Sequence, residues 1–234
     1  MSITTENTFE TALVQSLTEQ GGYTEGNAPD YSPELGMFKY EVIKFLQESQ
    51  PKRWEKISAI HGADADNRVI QRLYKELDLR GSLDVLRNGF VDYGVRFQMA
   101  FFQPASGLNP DAVDLYNKNN LKVYRQIYYS AKNKNSVDVL LSLNGIPVAT
   151  LELKNQFTGQ NVGNALKQYG STRDNRELLF VFKKRCLVHF AVDQDEVFMT
   201  TRLDGCKTFW LPFNKGVNNG KGNPINPNGY RTAY

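Results

Sequence analysis

The sequence predicts an α/β fold, a central mixed β-sheet flanked by helices with a helical region inserted near its start. Three observations carry that prediction. Runs rich in Val, Leu, Tyr and Phe, each of strand length, gather between positions 91 and 192. Segments with apolar residues three and four apart flank and interrupt them. The order along the chain is helix, helical insert, strands, helix, strands, which calls for a sheet covered by helices.

Thr5 to Gln20 carries Phe9, Leu13 and Leu17 at four-residue steps and ends at Gly21-Gly22, so it reads as a helix with one apolar face, bordered by Glu10. Glu34 to Glu48 and Asn67 to Leu79 read as further helices, the second with Asp66 as N-cap and Gly81 just past its end. Val91 to Phe102, Leu121 to Tyr129, Ser136 to Leu143, Ile146 to Lys154, Leu178 to Phe182 and Cys186 to Val192 read as strands, because β-branched and aromatic residues suit a pleated surface. Asn161 to Thr172 reads as a helix between the fourth and fifth of these. Phe213 to Tyr234 is dominated by Gly, Asn and Pro and reads as a linker. The expected division is therefore one domain over residues 1–212, with its helical insertion at about 30–90, and a linker over 213–234.

A chain of 234 residues can bury a substantial core, and 41% hydrophobic and 12% aromatic content match a globular protein. No apolar run is long enough to cross a membrane, and Met1 to Asp30 lacks a basic-then-apolar leader, which points to the cytoplasm. Cys186 and Cys206 lack metal-ligand spacing and read as reduced thiols. The net charge of +3 is too mild to argue for nucleic acid. Local distribution says more. Between Leu115 and Val137 stand Lys118, Lys122, Arg125, Lys132 and Lys134 with no acid, and Lys183, Lys184 and Arg185 form a second cluster. Either could border a DNA-binding cleft through Lys132, Lys134, Lys183 and Lys184, or simply be a solvated face.

The chemistry-bearing stretch is Leu151-Glu152-Leu153-Lys154-Asn155. Charged residues on an apolar strand need a partner or a metal. As an acid-x-Lys triplet Glu152-Leu153-Lys154 carries no weight, since chance supplies such triplets; its context does. Residues two apart on a strand share a face, so Glu152 and Lys154 project together. Whether Asp138 joins them depends on the turn. A two-residue Asn144-Gly145 turn would pair Leu143 with Ile146 and put Asp138 on the wrong face. A three-residue loop with Gly145 as a left-handed bulge pairs Ser142 with Ile146 and Asp138 with Thr150, aligning Asp138, Thr150, Glu152 and Lys154. Val137, Val139, Leu141, Leu143, Ala149, Leu151 and Leu153 then form an apolar face for a helix. Two converging carboxylates suit Mg²⁺, which takes oxygen ligands and bridges to phosphate, and a lysine can stabilise developing charge. A buried ion pair without catalysis accounts for the same residues.

Asp138 followed fourteen residues on by Glu152-Leu153-Lys154 is similar to the PD-(D/E)xK nuclease signature. The stretches Phe97 to Asn109, Val137 to Asn155 and Lys184 to Phe213 resemble the N-terminal endonuclease region of the R (motor) subunit of type I restriction-modification enzymes. That resemblance implies a restriction-endonuclease-like core and Mg²⁺-dependent, non-sequence-specific DNA cleavage. Asp138 and Glu152 would be the metal ligands and Lys154 the catalytic lysine, supported by Glu10 from the first helix and Gln168 after the catalytic strand. Relatives often carry Gln-x-x-x-Tyr there, whereas Thr172 stands four after Gln168, and Tyr169, which is adjacent, receives no role. The implied partners are double-stranded DNA and the methyltransferase and specificity subunits, with no membrane. ATP belongs to the motor, and no Gly-x-x-x-x-Gly-Lys-Ser/Thr loop occurs in this chain. A non-catalytic DNA- or subunit-binding module, or a stand-alone repair or junction nuclease, are the alternatives.

Overall fold

The structure, a computed structural model, describes residues 6–213. It opens with α1 (Glu6–Glu19), whose Phe9, Leu13, Val14 and Leu17 pack against Val123, Val139, Leu151, Leu153 and Val192 of a sheet. The four-residue spacing thus predicts both the helix and the face it buries. After β1 (Thr24–Glu25) come α2 (Lys39–Ser49), α3 (Pro51–His61), α4 (Ala65–Arg80), α5 (Ser82–Asn88) and a hairpin of β2 (Phe90–Asp92) with β3 (Val95–Phe97). These elements share a core that includes Val42, Leu46, Ile57, Leu73, Val85, Phe90 and Phe97, joined from the main sheet by Ile146.

Details here depart from expectation. Helix α2 begins at Lys39, not Glu34, because Gly36 takes φ +65° and its N–H bonds Ser32 O at 2.7 Å, closing residues 32–37 into a turn. Asp66 lies in the first turn of α4 rather than capping it. The strand expected over Val91 to Phe102 is the β2–β3 hairpin instead, with Tyr93 and Gly94 at φ 44° and 80° in its tight turn.

After α6 (Pro110–Asn117), capped by the Asn109 side chain, follow β4 (Leu121–Tyr128), β5 (Ser136–Leu143), β6 (Ile146–Leu153), α7 (Val162–Ser171), β7 (Val188–Val192), β8 (Val197–Thr200) and β9 (Leu211–Pro212). The seven-stranded sheet runs β1-β4-β5-β6-β7-β8-β9. It is mixed, as expected: β1–β4 and β6–β7 are parallel, the other neighbours antiparallel. Parallel β6 and β7 need a crossover, and α7 is it. Helix α1 covers the sheet face that carries Val139 and Leu151, and α7 packs Val162, Ala165 and Tyr169 near Ala191 and Leu140 on the other. Leu178 to Phe182 forms successive turns, not a strand: Phe180 N–H bonds Glu177 O at 2.8 Å while Leu179 and Phe180 are buried. A short apolar run is compatible with either. The expected linker lies, Phe213 apart, outside the described residues.

Arg185 ties the helical insertion to the sheet. Its side chain is 0% exposed, with Nη1 donating to Asp78 Oδ1 at 3.0 Å and to Lys184 O at 2.8 Å, and Nε to Leu35 O at 2.9 Å. Deleting the Asp78 carboxylate leaves that cation buried with one acceptor fewer. Asp78→Ala should therefore cost about 2 kcal/mol, seen as a lower urea midpoint at unchanged slope. An unchanged midpoint would show that Asp78 contributes nothing to holding Arg185.

Candidate active site

The site is built by the β5–β6 hairpin. Its turn is the two-residue one, with Leu143 paired to Ile146 and Asn144 and Gly145 at φ 52° and 83°, a geometry that matches strand twist. The three-residue loop expected from the sequence is therefore wrong, and so is the pairing of Asp138 with Thr150. Register is reset further along. Ser142 faces Pro147 but Leu141 faces Ala149, so Val148 is an extra residue on β6. Pro147 explains the position: it has no N–H for a central ladder, and prolines inside sheets sit at bulges. The bulge returns Leu140 of β5 to the face of Thr150, which the two-residue turn alone would not do. Thr150 pairs with Leu140 and Leu151 with Val139, where the β5–β6 ladder ends, one residue short of Asp138 and Glu152.

There the strands part. Instead of a ladder bond, Asp138 Oδ2 accepts the Leu153 N–H at 2.7 Å. The β4–β5 pairing also passes over Gln126 and Asp138, and Gln126 has φ +51°. The distortion turns Val137 away from Val139, so that Val137 packs with Tyr169 and Leu140, and the uniformly apolar face expected from Val137 to Leu143 breaks at that point.

Glu152 is fully buried. Its Oε1 accepts from Arg173 Nε at 2.7 Å, and its Oε2 has no hydrogen-bond partner. Burial pushes its carboxyl up to about 7; the Arg173 hydrogen bond opposes this, the Asp138 charge adds to it, and Lys154 pulls it down. Asp138 and Lys154 are thus each within electrostatic reach of Glu152. Lys154 is nearly buried and its backbone N–H bonds Val192 O at 2.8 Å. Among the described residues no group of three His, Cys, Asp or Glu side chains is arranged to hold a metal. A cation at Asp138 and Glu152 would rest on two carboxylates, which fits a small hard ion that keeps water and takes further oxygens from phosphate.

The chain matches the family described as the type I restriction enzyme R protein N terminus over residues 3–207. It belongs to that family. No curated protein matches it.

In this R-protein N-terminal region the other expected site residues are distributed unevenly. Glu10 lies in one cleft with Asp138. Gln168, half-buried on α7, accepts through its backbone carbonyl from the amide and hydroxyl of Thr172, closing the helix. Lys132 and Lys134 are exposed on the loop that feeds Asp138 into β5. Lys183 is exposed, its ammonium 5.1 Å from the Phe182 ring centre, whereas Lys184 donates to the Asp78 carbonyl and serves the packing of the insertion.

Two residues of the R-protein region were not foreseen. Tyr169, given no role above, is fully buried, and its hydroxyl meets Thr150 Oγ1 at 2.9 Å, which in turn meets His189 Nδ1 at 2.7 Å. Its spacing from Val162 and Ala165 on α7 is a signal that it faces inward. Arg173 stands just beyond α7, and nothing in its neighbours reveals a partner on β6. The guanidinium also lies 5.7 Å from the Tyr129 ring centre.

Burial lowers His189 to about 3 from the ordinary 6.5, so it is neutral beneath Thr150. The unfolded chain takes up this proton first, so stability is fully present above about pH 6.5 and falls as pH drops toward 3, by up to about 1.4 kcal/mol per unit. Urea midpoints for His189→Gln should fall less steeply with acid than those of the native chain. Parallel slopes would assign the acid loss to other groups.

Proposed function

We propose that this chain is the DNA-cleaving module of a type I restriction R subunit, hydrolysing phosphodiesters with Mg²⁺ held by Asp138 and Glu152 and with Lys154 beside the reacting phosphate. The observation that carries the reading is the buried, partnerless Oε2 of Glu152 at the point where β5 and β6 part. An unsatisfied carboxylate oxygen costs free energy that a bound cation would recover. When bound, the ion would polarise the phosphate and lower the pKa of a coordinated water. Arg173 holds the Glu152 carboxylate in place, Leu153 N–H fixes Asp138, and Lys154 supplies positive charge for the pentavalent phosphate. DNA is the substrate, and the methyltransferase and specificity subunits supply sequence recognition. Mn²⁺ titration followed by electron paramagnetic resonance tests the metal assignment: one site in the native chain, lost in Asp138→Asn and in Glu152→Gln. Equal binding by all three proteins would refute it.

A further inference from the structure

The cleft beside Asp138 has a volume of about 680 Å³ and is lined by Asn7, Glu10, Arg125, Gln126 and Asp138. Arg125, its side chain 29% exposed, is gripped from α1: Nε donates to Glu10 Oε1 at 2.6 Å, and Nη2 donates to Asn7 Oδ1 at 3.1 Å and to Thr11 Oγ1 at 2.8 Å. Glu10 is 7% exposed and its second oxygen accepts from Gln126 Nε2 at 2.7 Å. Both oxygens of this buried acid are therefore committed to aiming donors. Gln126 itself sits at φ +51°, where a residue other than glycine is strained by roughly 1–2 kcal/mol. Such strain persists only where the surroundings enforce it, and it gathers at binding sites. A largely buried ion pair stabilises a fold little more than apolar packing would, because desolvating both charges offsets their attraction, so packing alone does not account for a three-point grip beside a strained residue.

We propose that Arg125 and Gln126 form a phosphate subsite for the DNA backbone next to the bond to be cut, and that Glu10, with Asn7 and Thr11, is a positioning residue for Arg125 and not a metal ligand. The proposal rests on the nuclease reading above. The grip uses Nε and Nη2 and leaves Nη1 for a phosphate oxygen, and a guanidinium held in one plane loses less freedom on binding than a loose one.

The test is binding of a short fluorescent duplex to the 234-residue chain in EDTA, measured against salt. Arg125→Gln should weaken binding about tenfold and shallow the log–log salt dependence by about 0.9. Arg125→Lys, which keeps the charge without the fork, should fall between. Glu10→Gln separates aiming from charge: losing an acid beside a polyanion should tighten binding if charge alone matters, whereas losing the grip should weaken it. Thermal unfolding checks each fold, and if Glu10→Gln fails to fold, the Asn7→Ala, Thr11→Ala double substitution takes its place with the same expected weakening. An unchanged salt slope in Arg125→Gln, tighter binding after the grip is removed, or no binding by the native chain at about 10⁻⁴ M overturns the subsite. Mn²⁺ distinguishes this failure from failure of the nuclease reading. A Glu10→Gln chain that loses Mn²⁺ makes Glu10 a ligand and ends its positioning role. A native chain that binds DNA as expected but no Mn²⁺ leaves the subsite standing and removes the nuclease.

Discussion

Replacing Glu152 by alanine in the assembled restriction enzyme is expected, under the proposed mechanism, to slow DNA cleavage about a thousandfold or more, because a bound metal would lose one of two carboxylates and the phosphate its polarising charge. Asp138→Ala and Lys154→Ala should act alike, and ATP hydrolysis by the remainder of the R subunit should continue. Glu152→Ala also strands Arg173, whose side chain is only 7% exposed, so the closer comparison is Glu152→Gln, which keeps volume and an acceptor. Cleavage at the native rate by either variant would sink the mechanism.

The second large effect concerns Gly145. Its φ is +83°, and a Cβ there would come within 2.7 Å of Phe38 O, Val42 N and Val42 Cγ2. Two of those atoms are backbone and cannot step aside, and Phe38 N–H already bonds Gly145 O at 2.9 Å. Gly145→Ala should therefore cost about 3–5 kcal/mol, combining left-handed strain with a displaced α2. Chemical denaturation measures it. A loss below about 1 kcal/mol would mean the turn can shift without disturbing α2.

How far the sequence discloses this protein depends on whether a signal is local. The α1 stripe, the strands at Leu121, Ser136 and Ile146, and the helix starting at Val162 all follow from periodicity within one segment. Helix α3 buries only Ile57, so its pattern is faint despite Pro51 at its start and Gly62 at its end. The short strands β8 and β9 depend on partners already in the sheet. For the candidate site, the sequence points to Asp138, Glu152 and Lys154 from one hairpin. The register expected for that hairpin is wrong, because it rests on the turn whereas Pro147 carries the clue to the bulge. Arg173 had no local signature, as its role arises only when α7 crosses back over β6.

The extra residue at Val148 also bears on how this gene can change. Between Asp138 and Glu152 the chain behaves like a counter with two settings, because each strand residue faces opposite to the last. Substitutions along the hairpin leave the count intact even where they cost packing, since neither strand has an exposed residue. A single-codon deletion or insertion inside it turns one carboxylate away from the other, even when every remaining residue keeps its identity. Length variants should therefore be purged from this stretch of fourteen steps, while the loop before β5 tolerates them.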